Sequence, residues 1–171
     1  MTFFLPCTFT LMSSTTFRAL LEAGGPSFMP TQILVVPAEV LAALGPQTKR
    51  VLATFNDNHT ERLGLLPLPG GGRHLLLRKT LCEALGVRIG QELTVALAPD
   101  PNPDYVDLPD ELVEALEAWP EAKTIFLAQT GAMRRAMARK VADAKRPDTR
   151  ARYAVELAER LARGQHPFRA A

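Results

Sequence analysis

Eight basic side chains fall within 19 residues near the C-terminal end: Arg134, Arg135, Arg139, Lys140, Lys145, Arg146, Arg150 and Arg152. Cations at this density can neutralise several phosphates or carboxylates at once. The chemistry they suit is salt-sensitive binding to nucleic acid, to an anionic surface or to an acidic partner. Arg135 and Arg139 share a helix face at i, i+4. The plainer reading is that these groups solvate an outer face and pair with the acidic segment 110–121. Single-strand binding would also want aromatic rings among the cations, and only Tyr153 and Phe168 lie near them in the chain.

Other candidate chemistry is sparser. Gly70-Gly71-Gly72 could cradle a phosphate, but no Lys-Ser/Thr follows and Arg73-His74 opens a strand, so a hairpin loop is expected. His59, His74 and His166 are scattered, without a partner at ligand spacing, and Cys82 has no nearby Cys or His in the sequence. No metal is expected. Asp57 with Glu61, and Glu111 with Glu114, read as exposed turn and helix acids rather than a general acid–base pair. No catalytic residue and no cofactor is therefore assigned, and the reading leans away from an enzyme.

The elements that must position these groups begin with an internal repeat. Residues 35–45 read VVPAEVLAALG and residues 76–86 read LLRKTLCEALG. Each runs from an apolar pair through a short helix to Ala-Leu-Gly, then into a strand, at 48–56 and 91–98. A duplicated strand–helix–strand unit predicts one pseudo-symmetric barrel, because closure removes exposed sheet edges. Strands are expected at 15–22, 29–36, 48–56, 59–67, 73–78 and 91–98, with short helices after Pro37 and over 79–85. Pro37 suits a first helical turn, and Gly45 and Gly86 suit left-handed helix ends. Val51, Ala53 and Phe55, and then Leu93, Val95 and Leu97, alternate as one-sided strands.

Residues 99–108 carry Pro101 and Pro103 among acids and read as a linker. Helices follow at 110–119, ended by Pro120, then at 121–128, at about 132–145 with Thr130 as cap, and from 147 to about 163. The faces expected inward are Leu112, Val113, Leu116 and Trp119; Ile125, Phe126 and Leu127; Met133, Ala136, Met137 and Val141; and Tyr153, Leu157 and Leu161. Net charge is only +2, but it is unevenly placed. Residues 100–122 hold eight acids and no base, and residues 123–171 hold twelve bases and four acids. The 171-residue chain, 47% apolar, is long enough for one core plus an appendage, with no apolar run that spans a bilayer. Cys7 and Cys82 fit a reducing compartment better than a disulfide framework. The uncharged opening, MTFFLPCTFTL, lacks the features of a secretory signal, so Met12 is a candidate start and residues 1–11 an extension.

The segment TFRALLEAGG, the run ILVVPAEVLAALG, the Asn-Asp-Asn turn and LLLRKTLCEALGVRIGQELTVAL together resemble the DUF1905 family of bacterial proteins. DLPDELVEALEAWPEAKTIF and MRRAMARKVADAKRPDTRARYAVELAERLARG resemble the YdeI/OmpD-associated, or bacteriocin-protection, domain. The chain departs from the second pattern at Thr130-Gly131-Ala132 and near Ala138 and Arg139. VRIGQELTV also resembles a stretch of the barrels of bacterial transition regulators, a fold-level likeness that mildly favours DNA binding. The expected architecture is α+β: a tail at 1–13, a six-stranded split β-barrel with an internal pseudo-two-fold repeat at 14–98, a linker at 99–106, and a C-terminal helical module of three to four helices at 107–164. The expected role is a cytoplasmic, non-enzymatic binding module in stress or antimicrobial-peptide protection, with an unknown protein or anionic partner. Nucleic-acid binding through the basic helices, or a small-ligand or enzymatic site at the barrel mouth, are the alternatives.

Overall fold

A computed structural model describes residues 14–25 and 31–169 of the chain. The tail expected at 1–13, with Cys7, lies outside the described residues, as does the start of the strand expected at 29. The elements are β1 (Thr15–Gly24), β2 (Thr31–Val36), α1 (Ala38–Leu44), β3 (Arg50–Phe55), β4 (His59–Pro67), β5 (Arg73–Leu77), α2 (Lys79–Leu85), β6 (Glu92–Pro99), α3 (Asp110–Ala118), α4 (Pro120–Ala128), α5 (Gly131–Ala142) and α6 (Pro147–Ala162). They form two compact units, divided between Pro103 and Asp104.

The first unit is a closed antiparallel barrel in the order β1-β2-β5-β4-β3-β6. Exchanging β1, β2 and β3 for β4, β5 and β6 leaves this ring of neighbours unchanged, as a two-fold repeat requires. The register says the same. Leu34 pairs with Leu75, and the spacing between those two equals that between Gly45 and Gly86. The pseudo-axis therefore passes through that pair. β1 and β4 close the ring by changing partners midway. Thr15–Leu20 pair with β6 and Leu21–Gly24 with β2, while β4 pairs first with β3 and from Leu65 with β5. At each switch a loop carbonyl takes the stray amide: Leu21 N–H donates to Gln91 O at 2.8 Å and Leu65 N–H to Lys49 O at 2.9 Å.

The strict period of two along the strands sends one set of side chains inside. Leu21, Leu34, Val51, Ala53, Phe55, Leu75, Val95 and Leu97 are wholly buried there. Each such Val, Leu or Phe contributes roughly 1.5–3 kcal/mol through burial. The two halves differ at their helix ends. Gly86 is in the left-handed helical region (φ 67°, ψ 29°), but Gly45 pairs φ 88° with an extended ψ of 152°. Pro37 sits one position before α1, where its carbonyl accepts from the amides of Val40 and Leu41.

The second unit is four helices with α6 packed against the other three. Leu112, Ala115 and Leu116, then Ala122 and Phe126, then Met137, Ala138 and Val141 meet Ala154, Leu157, Ala158 and Leu161. Two expected inward residues are exposed instead. Ala136 is exposed because Ala138, on the other flank of Met137, turns inward instead. Leu127 is exposed, with Phe126 filling the α4 position. Tyr153 is half-buried and packs against this core, as do Trp119, Ile125 and Met133. Pro120 opens α4 as well as following α3, and Thr130 caps α5 by accepting from Met133 N–H at 3.2 Å. No described helix is long and apolar enough to cross a membrane.

Candidate functional site

The eight predicted cations sit on α5, α6 and the loop between them, and they divide by what they touch. Arg150 is committed inside its own unit. Its Nε donates to Glu111 Oε1 at 2.6 Å, and its Nη1 reaches Ala144 O at 3.3 Å. That bond, aided by a backbone hydrogen bond, holds the Glu111 carboxyl below the usual glutamate range. Arg150 thus pairs the basic run with the acidic helix, as the plainer reading expects. Arg134 is half-buried with its Nε enclosed. Arg135 lies with Asp104 over Gly131, and Arg139, though exposed, also has a partner. Lys145 and Arg146, on the α5–α6 turn, are exposed and hold no ion-pair partner among the described residues.

Lys140 and Arg152 belong to a cluster that the linear spacing hides. Lys140 Nζ lies 5.5 Å from the centre of the Tyr153 ring and 5.9 Å from that of Phe168. Arg152 lies 5.5 Å from the Tyr153 ring and forms a loose i, i+4 pair with Glu156 at 4.0 Å. The segment after α6 folds back to supply Phe168. Arg160 Nη1 donates to Arg169 O at 2.8 Å, and His166 Nδ1 accepts from the amides of Phe168 and Arg169 at 3.1 and 3.2 Å. Phe168 is 41% exposed and takes no part in the helical core.

The barrel offers less. Its interior is lined by buried Leu, Val and Phe side chains. A groove of about 620 Å³ lies outside, between α2 and the following turn, lined by residues that include Gln32, Lys79, Cys82 and Arg88. Cys82 is buried, and burial, with Glu83 beside it, pushes its thiol up, away from the reactive thiolate. Gly70, Gly71 and Gly72 all have positive φ and form the β4–β5 hairpin loop. Among the described residues no three His, Cys, Asp or Glu side chains gather as a metal site would need. Asp57 is an exposed turn residue, and Glu61 faces His59 at 3.7 Å.

Sequence reasoning missed Asp100. It reads as the first acid of a linker, yet it belongs to the barrel. Its backbone amide donates to Arg50 O at 3.0 Å, and its side chain is wholly enclosed. The carboxylate binds Arg62, accepts from Asn102 N–H at 2.9 Å and lies 3.6 Å from Arg50 Nε. The signal was available only through register. Arg50 and Arg62 lie on paired strands, and β6 runs past Val51 to deliver Asp100 between them.

Two family models cover most of the chain. Residues 17–97 match the one described as a domain of unknown function, DUF1905. Residues 106–164 match the one described as bacteriocin-protection, YdeI or OmpD-associated. No curated protein matches the chain.

Proposed function

We propose that this chain, a DUF1905 barrel followed by a bacteriocin-protection domain, is a cytoplasmic non-enzymatic binding protein that contributes to bacteriocin protection. It engages an anionic partner through the surface of α5 and α6. The observation that carries this reading is the allocation of charge in the helical domain. Arg150 is spent on Glu111, whereas Lys145, Arg146, Lys140 and Arg152 are presented outward or over aromatic rings. The apolar filling of the barrel interior supports a reading in which recognition is carried by the helical surface.

The test is survival of bacteria under bacteriocin challenge with the chain, with no chain, and with a Lys145→Glu, Arg146→Glu, Arg152→Glu variant at matched expression. The chain raises the tolerated bacteriocin concentration, and the variant returns it to the level without the chain. Equal survival with and without the chain overturns the reading, as does full protection by the variant.

A further inference from the structure

We propose that Lys140, Arg152, Tyr153 and Phe168 form a platform for single-stranded nucleic acid. This deepens the reading above by naming the anionic partner, and it rests on the same face of α5 and α6. Three observations lead to it. First, the two aromatic residues near the basic run converge on one ammonium group, which stands within cation–π range of both rings. Cations interleaved with rings, sparse along the sequence, are thus present in space. Second, Lys140 has no carboxylate partner among the described residues, and Arg152 is 65% exposed with its acid at the limit of ion pairing. Both retain charge for an incoming phosphate.

Third, the placement of Phe168 serves no core. A large apolar ring, 41% exposed, is held by a fixed turn that uses the Arg160 guanidinium and the His166 imidazole, with His166 edge-on to it at 6.2 Å between ring centres. Holding such a ring at the surface leaves apolar area in water unless something covers it. A base covers a ring face by stacking while its phosphate meets the flanking cations, which is how sequence-tolerant single-strand sites work. An acidic polypeptide satisfies the cations and leaves the ring unused.

The experiment is fluorescence anisotropy of the full chain with a labelled oligothymidylate of about 15 nucleotides, a length in the range such sites occupy. Binding is expected at low salt, weakening steeply as salt rises. Phe168→Ala lowers affinity about tenfold with the salt slope unchanged, the signature of lost stacking. Lys140→Gln lowers affinity and reduces the slope by about one, the signature of one lost phosphate contact. Poly-glutamate at equal charge fails to displace the oligonucleotide. Thermal melts of both variants should match the wild type, since neither residue is in the core. No binding at low salt, wild-type affinity for Phe168→Ala, or equal displacement by poly-glutamate overturns the proposal. If the oligonucleotide does not bind but the charge-reversed variant still abolishes protection, this inference falls and the protective role stands. If the oligonucleotide binds and the chain gives no protection, the reverse holds.

Discussion

The barrel encloses one acid between two arginines, while the helical domain turns most of its cations towards solvent. In the barrel, Asp100 is wholly buried against Arg50 and Arg62, and the three groups fix where the chain leaves β6. In the helical domain, Glu111 and Arg150 meet at 2.6 Å but remain 21% and 28% exposed. The same two chemical groups do different jobs according to burial. An enclosed ion pair resists loss of a partner because the remaining charge has no water, whereas a half-exposed pair is rehydrated when broken. Charge in the first unit is therefore enclosed within its own fold, and much of the charge in the second stands at the surface.

The sharpest way to break this contrast is Asp100→Ala. It removes the carboxylate that Arg50 and Arg62 share. Because Arg62 is one third exposed and can regain water, the cost is expected at the lower end for a broken buried pair, about 3 kcal/mol. Urea unfolding of the barrel should show a lower midpoint with an unchanged slope. A loss well under about 1 kcal/mol would mean that the enclosure of Asp100 is not what makes the charges matter.

Gly131→Ala probes the second unit's counterpart, in which Asp104 and Arg135 lie over the first residue of α5. An added Cβ would overlap Asp104 Oδ1, with Arg135 Nη1 at 3.0 Å and the Asp104 Cα at 3.2 Å. Glycine to alanine inside a helix ordinarily stabilises by up to about 1 kcal/mol. Here crowding costs about 1–3 kcal/mol and wins, because backbone as well as side chain stands in the way. The melting temperature of the helical domain should fall, and Asp104→Ala in the same chain should recover the part of the loss that comes from the carboxylate, leaving the part that comes from the Asp104 backbone. A rise on Gly131→Ala alone would show that Asp104 swings aside freely and that this clamp is loose.

The barrel was legible in the sequence because its signals are local. Alternation at Val51, Ala53 and Phe55, and the repeated Ala-Leu-Gly endings, fix strand faces and half-barrel symmetry without knowledge of distant contacts. The helices were legible in number and order, and less so in facing. Ala136 and Ala138 are the same residue type on opposite flanks of Met137, and only the position of α6 decides which is covered. The candidate site was legible as a list of cations and not as an arrangement. Phe168 reaches Lys140 only because Arg160 and His166 fold the chain back, a long-range event with no periodic trace. Asp100 was hidden for the same reason: an acid beside prolines has linker composition until strand register places two arginines around it.

The smallest expected effect comes from Glu111→Gln, and its sign is worth following. The Arg150 hydrogen bond holds the folded carboxyl below the usual glutamate range, so folding favours the ionised form. The unfolded chain binds its proton first as pH falls. The pair's stabilisation is therefore fully present above the ordinary glutamate value, near pH 4, and is lost as pH drops through the lowered folded value. Wild type and Glu111→Gln should differ in helical-domain melting temperature at pH 7 and converge at the acid end. Added salt should narrow the difference at pH 7, since both groups are partly in water. A difference that survives unchanged in acid would assign the effect to packing or to the neutral hydrogen bond. In that case the charge of Glu111 would not be what stabilises the helical domain.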